Sequence, residues 1–179
     1  MPKLFAVYLG GSAPGSNIEL HDVQFVVAER IEAAYPDLLR LWYGLPDSLH
    51  LDSYMALEVV DGHRVSLSRA GAPGERRLYF VNLGAYQAGV FGEHHAITFM
   101  VDTDAAAVKR RAKAELLAGW DELHTDDLFE LDGCAEVTAQ GWRVHLEPTD
   151  EPTVLRPVNG YHPIPKPVIE AFKAGQRGS

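Results

Sequence analysis

Apolar and polar residues alternate along this chain in short runs, and the whole set of runs comes twice. Leu4-Phe-Ala-Val-Tyr-Leu9 is rich in β-branched and aromatic residues and stops at Gly10-Gly11, which predicts a buried strand. Glu19 to Val27 alternates, so Val23, Phe25 and Val27 share a face with Glu19 and His21. The period then changes. Ile31, Ala34, Leu38 and Trp42 recur at helical spacing within Ala28 to Gly44, and Pro36 predicts a kink there or two short helices. Leu49 to Leu57 reads as a third strand, and Arg64-Val-Ser-Leu67 as a fourth.

The second set follows 74 positions later: Leu78 matches Leu4, Glu93 matches Glu19 and His95 matches His21. Ile97, Phe99 and Val101 lie beneath Glu93 and His95. Ala105, Val108, Ala112 and Leu116 repeat the helix after a cap at Thr103 or Asp102, without a proline. Leu123 to Leu131 repeats the third strand. Arg143-Val-His-Leu146 closes the copy, with extra residues in the turn around Asp132 to Gln140.

The predicted fold is therefore α+β: two tandem β-β-α-β-β repeats, residues 4–67 and 78–146, packed with pseudo-twofold symmetry into one compact domain. Ala70 to Glu75 is a turn too brief to be a flexible linker. A proline-rich C-terminal tail, residues 147–179, lies outside the repeat. Pro148 to Pro167 holds six of the eleven prolines. Val154 to Val158 reads as an edge strand and Pro167 to Lys173 as a short helix. Such a tail caps a sheet edge or walls a cleft, and Gln176 to Ser179 is expected to be disordered.

Composition narrows the partners. A chain of 179 residues, 46% hydrophobic, can bury a core. A net charge of −9 argues against nucleic acid and anionic membrane surfaces. One cysteine, Cys134, excludes an internal disulfide, fits a reducing cytosol and reads as a small buried filler. No apolar run approaches the ~20 residues of a membrane span, and residues 1–15 carry no secretory pattern. The expectation is a soluble cytoplasmic protein.

Leu4-Phe-Ala-Val-Tyr-Leu-Gly-Gly, Glu-Leu-His-Asp before an apolar strand, Leu-His-x-Asp, and Leu78-Tyr-Phe-Val-Asn-Leu-Gly together resemble the bacterial family named domain of unknown function 1543. The resemblance spans residues 4 to 146 and implies a two-copy α+β protein. It brings no activity and no catalytic residues with it.

Candidate chemistry lies in a repeated polar quartet: Glu19, His21, His50 and Asp52, then Glu93, His95, His124 and Asp126. Residues two apart on a strand face one side, roughly 6.5–7 Å apart. Neighbouring strands can thus converge His21 and His50, or His95 and His124, on one divalent transition metal, with the carboxylates completing the donor set. The competing reading is structural, with each His pairing to a carboxylate or a backbone carbonyl; direct acid/base catalysis is the third.

Other chemistries fit less well. The Gly10-x4-Gly15 spacing, repeated at Gly84 and Gly89, lacks the lysine of a phosphate loop and reads as a glycine-permitted turn. Two-histidine phosphoesterases carry Ser or Thr where Asp52 and Asp126 stand, and paired anions repel phosphate. No Gly-x-Ser-x-Gly elbow is present. His94 points to the face opposite His95, expected to be solvated. The function expected is a small-ligand- or metal-binding module with a groove between the repeats; a metal-assisted hydrolase or isomerase and a protein-interaction scaffold are the alternatives. A homo-oligomer is compatible with all three.

Overall fold

The computed structural model describes residues 1–72, 74–86, 89–116, 122–123, 134–139 and 141–177. Its elements run β1 (Lys3–Gly11), β2 (Leu20–Ala28), α1 (Tyr35–Leu41), β3 (His50–Ala56), β4 (Val59–Val60), β5 (His63–Ser68), β6 (Arg77–Tyr86) and β7 (His94–Asp102). Then come α2 (Ala105–Leu116), β8 (Glu122–Leu123), β9 (Cys134–Glu136), β10 (Arg143–Pro148), β11 (Val158–Pro163) and α3 (Lys166–Gln176). The α+β character and the doubled order of elements are as the pattern predicts. Two compact units divide the chain, and the boundary after Glu58 falls inside the first repeat.

The first unit comprises Met1–Glu58, Ala139–Trp142 and Val154–Ser179. Its sheet runs β11-β3-β1-β2, and all three pairings are antiparallel. Phe5, Val7 and Leu9, alternate residues of the central strand β1, enter a core with Val26, Ile31, Ala34, Leu38, Leu39, Trp42, Leu49 and Leu51. Every apolar position assigned to the first helix on spacing is buried. That helix is split as Pro36 predicts: a 3-10 turn at Ile31–Ala34 precedes α1, with Pro36 in its first turn, where a missing N–H costs nothing.

The tail does more than cap. Ile164 and Ile169 belong to the same core, with Val168 and Phe172 packed against it. The edge strand is Val158–Pro163 rather than Val154 to Val158. Pro152 and Pro157 have no N–H to give a ladder, so pairing begins only after the second of them. The helix expected over Pro167 to Lys173 begins at Lys166, with Pro167 in its first turn, and runs to Gln176.

The second unit comprises Val59–Thr138 and Arg143–Thr153. Its main sheet centres on β6, with β7 on one side and both β8 and β9 on the other. Tyr79, Val81, Leu83, Met100, Val108 and Ala112 form its core. The cap of α2 is Asp104, which accepts the Ala107 N–H at 2.8 Å, rather than Thr103 or Asp102. Of the third strand expected over Leu123 to Leu131, residues 124–131 lie outside the described residues. The short strand β9 stands where a turn was expected, because Cys134 to Glu136 pairs with Val81 to Tyr79. Cys134 is half-buried against the core, and burial raises its thiol pKa.

The closing strands of the two copies, β5 and β10, pair with each other from Ser68↔Arg143 to His63↔Pro148. Asp61 and Gly62, both at positive φ, turn β4 into β5. The Asp61 carboxylate accepts the Val101 N–H at 2.7 Å and two N–H groups of Arg111 at 2.9 and 3.0 Å. Burial pushes this carboxyl up, but the Arg111 and Val101 hydrogen bonds outweigh it and hold its pKa below the usual carboxylate range. Among the described residues, no helix is long and apolar enough to cross a membrane.

Candidate metal centre

The centre is built on one row of the first sheet. Gly10 of β1 pairs with His21 of β2 on one side and with His50 of β3 on the other. Directly paired residues point to the same face, so two imidazoles rise on either side of a position that has no side chain. That absence is what brings the donors together. A Cβ on Gly10 would stand 2.6 Å from His50 Nε2 and 2.5 Å from Asp52 Oδ2, so the volume of the missing methyl is occupied by the cluster's own atoms.

A β-bulge delivers Asp52. On β3, Ser53 pairs with Tyr8 and Leu51 with Leu9, leaving Asp52 as the extra residue between them. Bulges re-aim side chains in this way. Here the bulge keeps Leu51 and Tyr54 with the core while Asp52 joins His50 on the opposite face. Glu19 arrives from the residue before β2.

Each carboxylate addresses both imidazoles. His50 Nε2 lies 3.1 Å from Glu19 Oε1 and 3.2 Å from Asp52 Oδ1. His21 Nε2 lies 3.3 Å from Asp52 Oδ2 and 3.6 Å from Glu19 Oε2. Ligand atoms of Glu19, His50 and Asp52 all fall within 4.8 Å of one another. Asp52 Oδ2 is buried without a hydrogen-bond partner.

His50, only 4% exposed, is oriented from behind. Its Nδ1 is 2.9 Å from the Ser48 carbonyl oxygen, which can only accept, so Nδ1 carries a proton. Ser48 is itself fixed in a 3-10 turn, its hydroxyl donating to Leu45 O at 2.8 Å and accepting from Ser12 N–H at 2.8 Å. In a neutral His50 the Nε2 lone pair would then face two carboxylate oxygens. A cation shared by the three groups would fill the position that His50 Nε2 and these oxygens, 3.1 and 3.2 Å from it, face in common.

Two tyrosines frame the cluster. Tyr8 lies two residues before Gly10, its ring 5.4 Å from that of His21. Burial and then the charge of Asp52 push its phenol pKa above the ordinary 10.0, so it stays a neutral hydroxyl at physiological pH. Tyr161 of β11 stacks on His50 with ring centroids 4.4 Å apart.

The second copy repeats the row as far as it is described. Gly84 pairs with His95, whose Nε2 is 3.8 Å from Glu93 Oε2, and the Glu93 carboxylate folds over Gly84. His124 and Asp126 lie outside the described residues. His94 is half-buried on the opposite face rather than solvated. Gly15 and Gly89 both take positive φ, as turn glycines do. Sequence reasoning assigned Gly10 to that turn and missed its steric role; its recurrence as Gly84 beside a repeated His was the available signal. Ser48, Tyr8 and Tyr161 were also missed. Nothing in the sequence pairs Tyr161 with His50, since the tail has no counterpart in the repeat.

Solved structures and family profiles give the fold a lineage. The chain is similar to a crystal structure of a protein Il1583 from Idiomarina loihiensis, with 37% identity and a TM-score of 0.74. The likeness covers 93% of this chain and 99% of that one. None of the curated proteins matches. The profile described as Domain of Unknown Function (DUF1543) matches residues 16–67 and again 91–146. With its quartet residues falling inside those two segments, the chain belongs to this family, in two tandem copies.

Proposed function

We propose that this protein binds a divalent transition metal on the first sheet, through Glu19, His50 and Asp52, with His21 as a fourth donor. The observation that carries this is the buried His50: its Nδ1–H is committed to Ser48, so its Nε2 is turned toward two carboxylates. Donors bound at 2.0–2.2 Å to one ion stand roughly 3.0–3.5 Å from each other. Three imidazole–carboxylate separations, 3.1, 3.2 and 3.3 Å, fall within that spacing, and the 3.6 Å between His21 and Glu19 lies just beyond it. Two carboxylates neutralise a +2 charge, and two imidazoles suit zinc, manganese, iron or nickel over magnesium or calcium. The backbone carbonyl behind His50 is the usual outer partner of a metal-ligating histidine. Glu19 and His21 are solvent-exposed, which leaves a side from which water or a small ligand reaches the ion. A metal-assisted hydrolase or isomerase would use this same centre, with the ion supplying an activated water.

Metal analysis of protein purified without a nickel column tests the reading. The expected result is bound zinc, iron or manganese, with one equivalent lost in His50→Ala and the fold retained by circular dichroism. Wild-type protein that takes up none of these ions, with His50→Ala merely less stable, would assign the cluster to a structural imidazolium.

A further inference from the structure

The tail strand carries a second bulge at the level of the first. On β11, Asn159 pairs with Ser53 and His162 with Leu51, so Gly160 and Tyr161 together lie opposite the bulged Asp52. Gly160 has φ +144, a conformation that side chains rarely adopt. Two irregularities on adjacent strands thus meet beside the cluster, and their product is a tyrosine turned back over His50. Its ring is tilted 44° to the imidazole, and the residue as a whole is 70% exposed. Tyr43, 60% exposed, donates its hydroxyl to the His21 carbonyl at 3.4 Å and lies against Trp42 with centroids 4.7 Å apart. The exposed Tyr161 ring thus lies over the His50 imidazole, while Tyr43 is tied to the backbone of His21.

We propose that Tyr161 makes the open side of this centre a platform for a small planar aromatic ligand that reaches the metal through oxygen or nitrogen donors. The inference rests on the metal reading. Charge gives such a ligand little purchase, because two carboxylates already neutralise a divalent ion and the chain carries −9. Recognition therefore falls to the rings, whose faces favour offset or edge stacking with another aromatic system.

Two hydroxamates separate ring recognition from metal binding, since they chelate through identical oxygens and differ only in the ring. Cobalt-loaded protein is titrated with benzohydroxamate and with acetohydroxamate, and binding is followed in the visible cobalt spectrum. On wild type, benzohydroxamate should bind about three- to tenfold tighter, the range that aromatic stacking gives. The preference should fall to about one in Tyr161→Ala and survive in Tyr161→Phe. Tyr161→Leu, which keeps apolar bulk without a ring, carries the test if the alanine variant does not fold. A preference unchanged on losing the ring, or absent from wild type, overturns the proposal while leaving the metal site standing. Failure of the protein to take up cobalt overturns both.

Discussion

Adding a single methyl group at Gly10 tests the geometry of the centre most directly. Gly10 is not among the glycines with positive φ, so alanine fits the backbone there. By itself, alanine in a strand removes a backbone-entropy cost of roughly 0.5–1 kcal/mol. The new Cβ would stand 2.5 Å from Asp52 Oδ2 and 2.6 Å from His50 Nε2, where ordinary contact begins at 3.4 Å. Both donors would have to retreat by nearly 1 Å, and metal sites hold their ligand distances to about 0.2 Å. Loss of one donor should weaken metal binding about 100-fold, or about 2.7 kcal/mol. Free zinc at 100 times the wild-type dissociation constant stabilises wild type by about 2.7 kcal/mol but Gly10→Ala by only about 0.4 kcal/mol. In a chain of this size the zinc-induced rise in Tm should be about 5–10 °C for wild type and near 1 °C for the variant. A chromophoric chelator competition gives the affinities independently. Equal zinc affinity in the two proteins would refute the argument, because it would mean the crowding over Gly10 has nothing to do with ligation.

Two further outcomes follow from the frame around the site. Arg111→Ala should destabilise the second unit by about 1–3 kcal/mol at pH 7, because it strips a part-buried Asp61 of two charge-assisted hydrogen bonds. The Asp61 carboxyl lies below its ordinary 3.8, so its contribution is complete above that value and is lost as the pH falls through the folded value. Urea melts should therefore show the gap between wild type and variant narrowing below about pH 3.8; a gap constant down to pH 2 would contradict the assignment. Deleting residues 164–179 removes Ile164 and Ile169 from the first core, each worth about 1.5–3 kcal/mol of burial. The truncated chain should be insoluble or lose its cooperative melt, and wild-type stability in the truncation would show the tail to be peripheral.

The elements were legible because both periods are strong. Ile31, Ala34, Leu38 and Trp42 are apolar at helical spacing and all four are buried, whereas on β2 the buried residue is Val26, and Val23, Phe25 and Val27 stay half-buried on the opposite face, with His21. Pro36 gave the split helix, since its ring and missing N–H act locally. Non-local features escaped. Pairing of β5 with β10 across the two copies depends on register between segments far apart in sequence, which no local period encodes. Cores are likewise blind to order along the chain: Ile164 and Ile169 read as part of a stiff tail, yet α3 completes the core around α1.

The site divides along the same line. Residue types and spacings marked Glu19, His21, His50 and Asp52, because alternate positions on neighbouring strands share a face. The bulge that actually turns Asp52 toward His50 was invisible, as was the reason for the glycine between the histidines. That glycine bears on what the cluster is. An imidazole and a carboxylate form an ion pair over many geometries, and a side chain at position 10 would merely shift the pair outward. Under the metal reading, His50 Nε2 and Asp52 Oδ2 crowd into the space above a bare Cα because both reach for one point. Gly84 stands in the same relation to His95 in the second copy, with the Glu93 carboxylate lying over it. Tandem duplication carries the empty position into both copies, and under the metal reading proposed above it leaves the room in which donors converge on one ion.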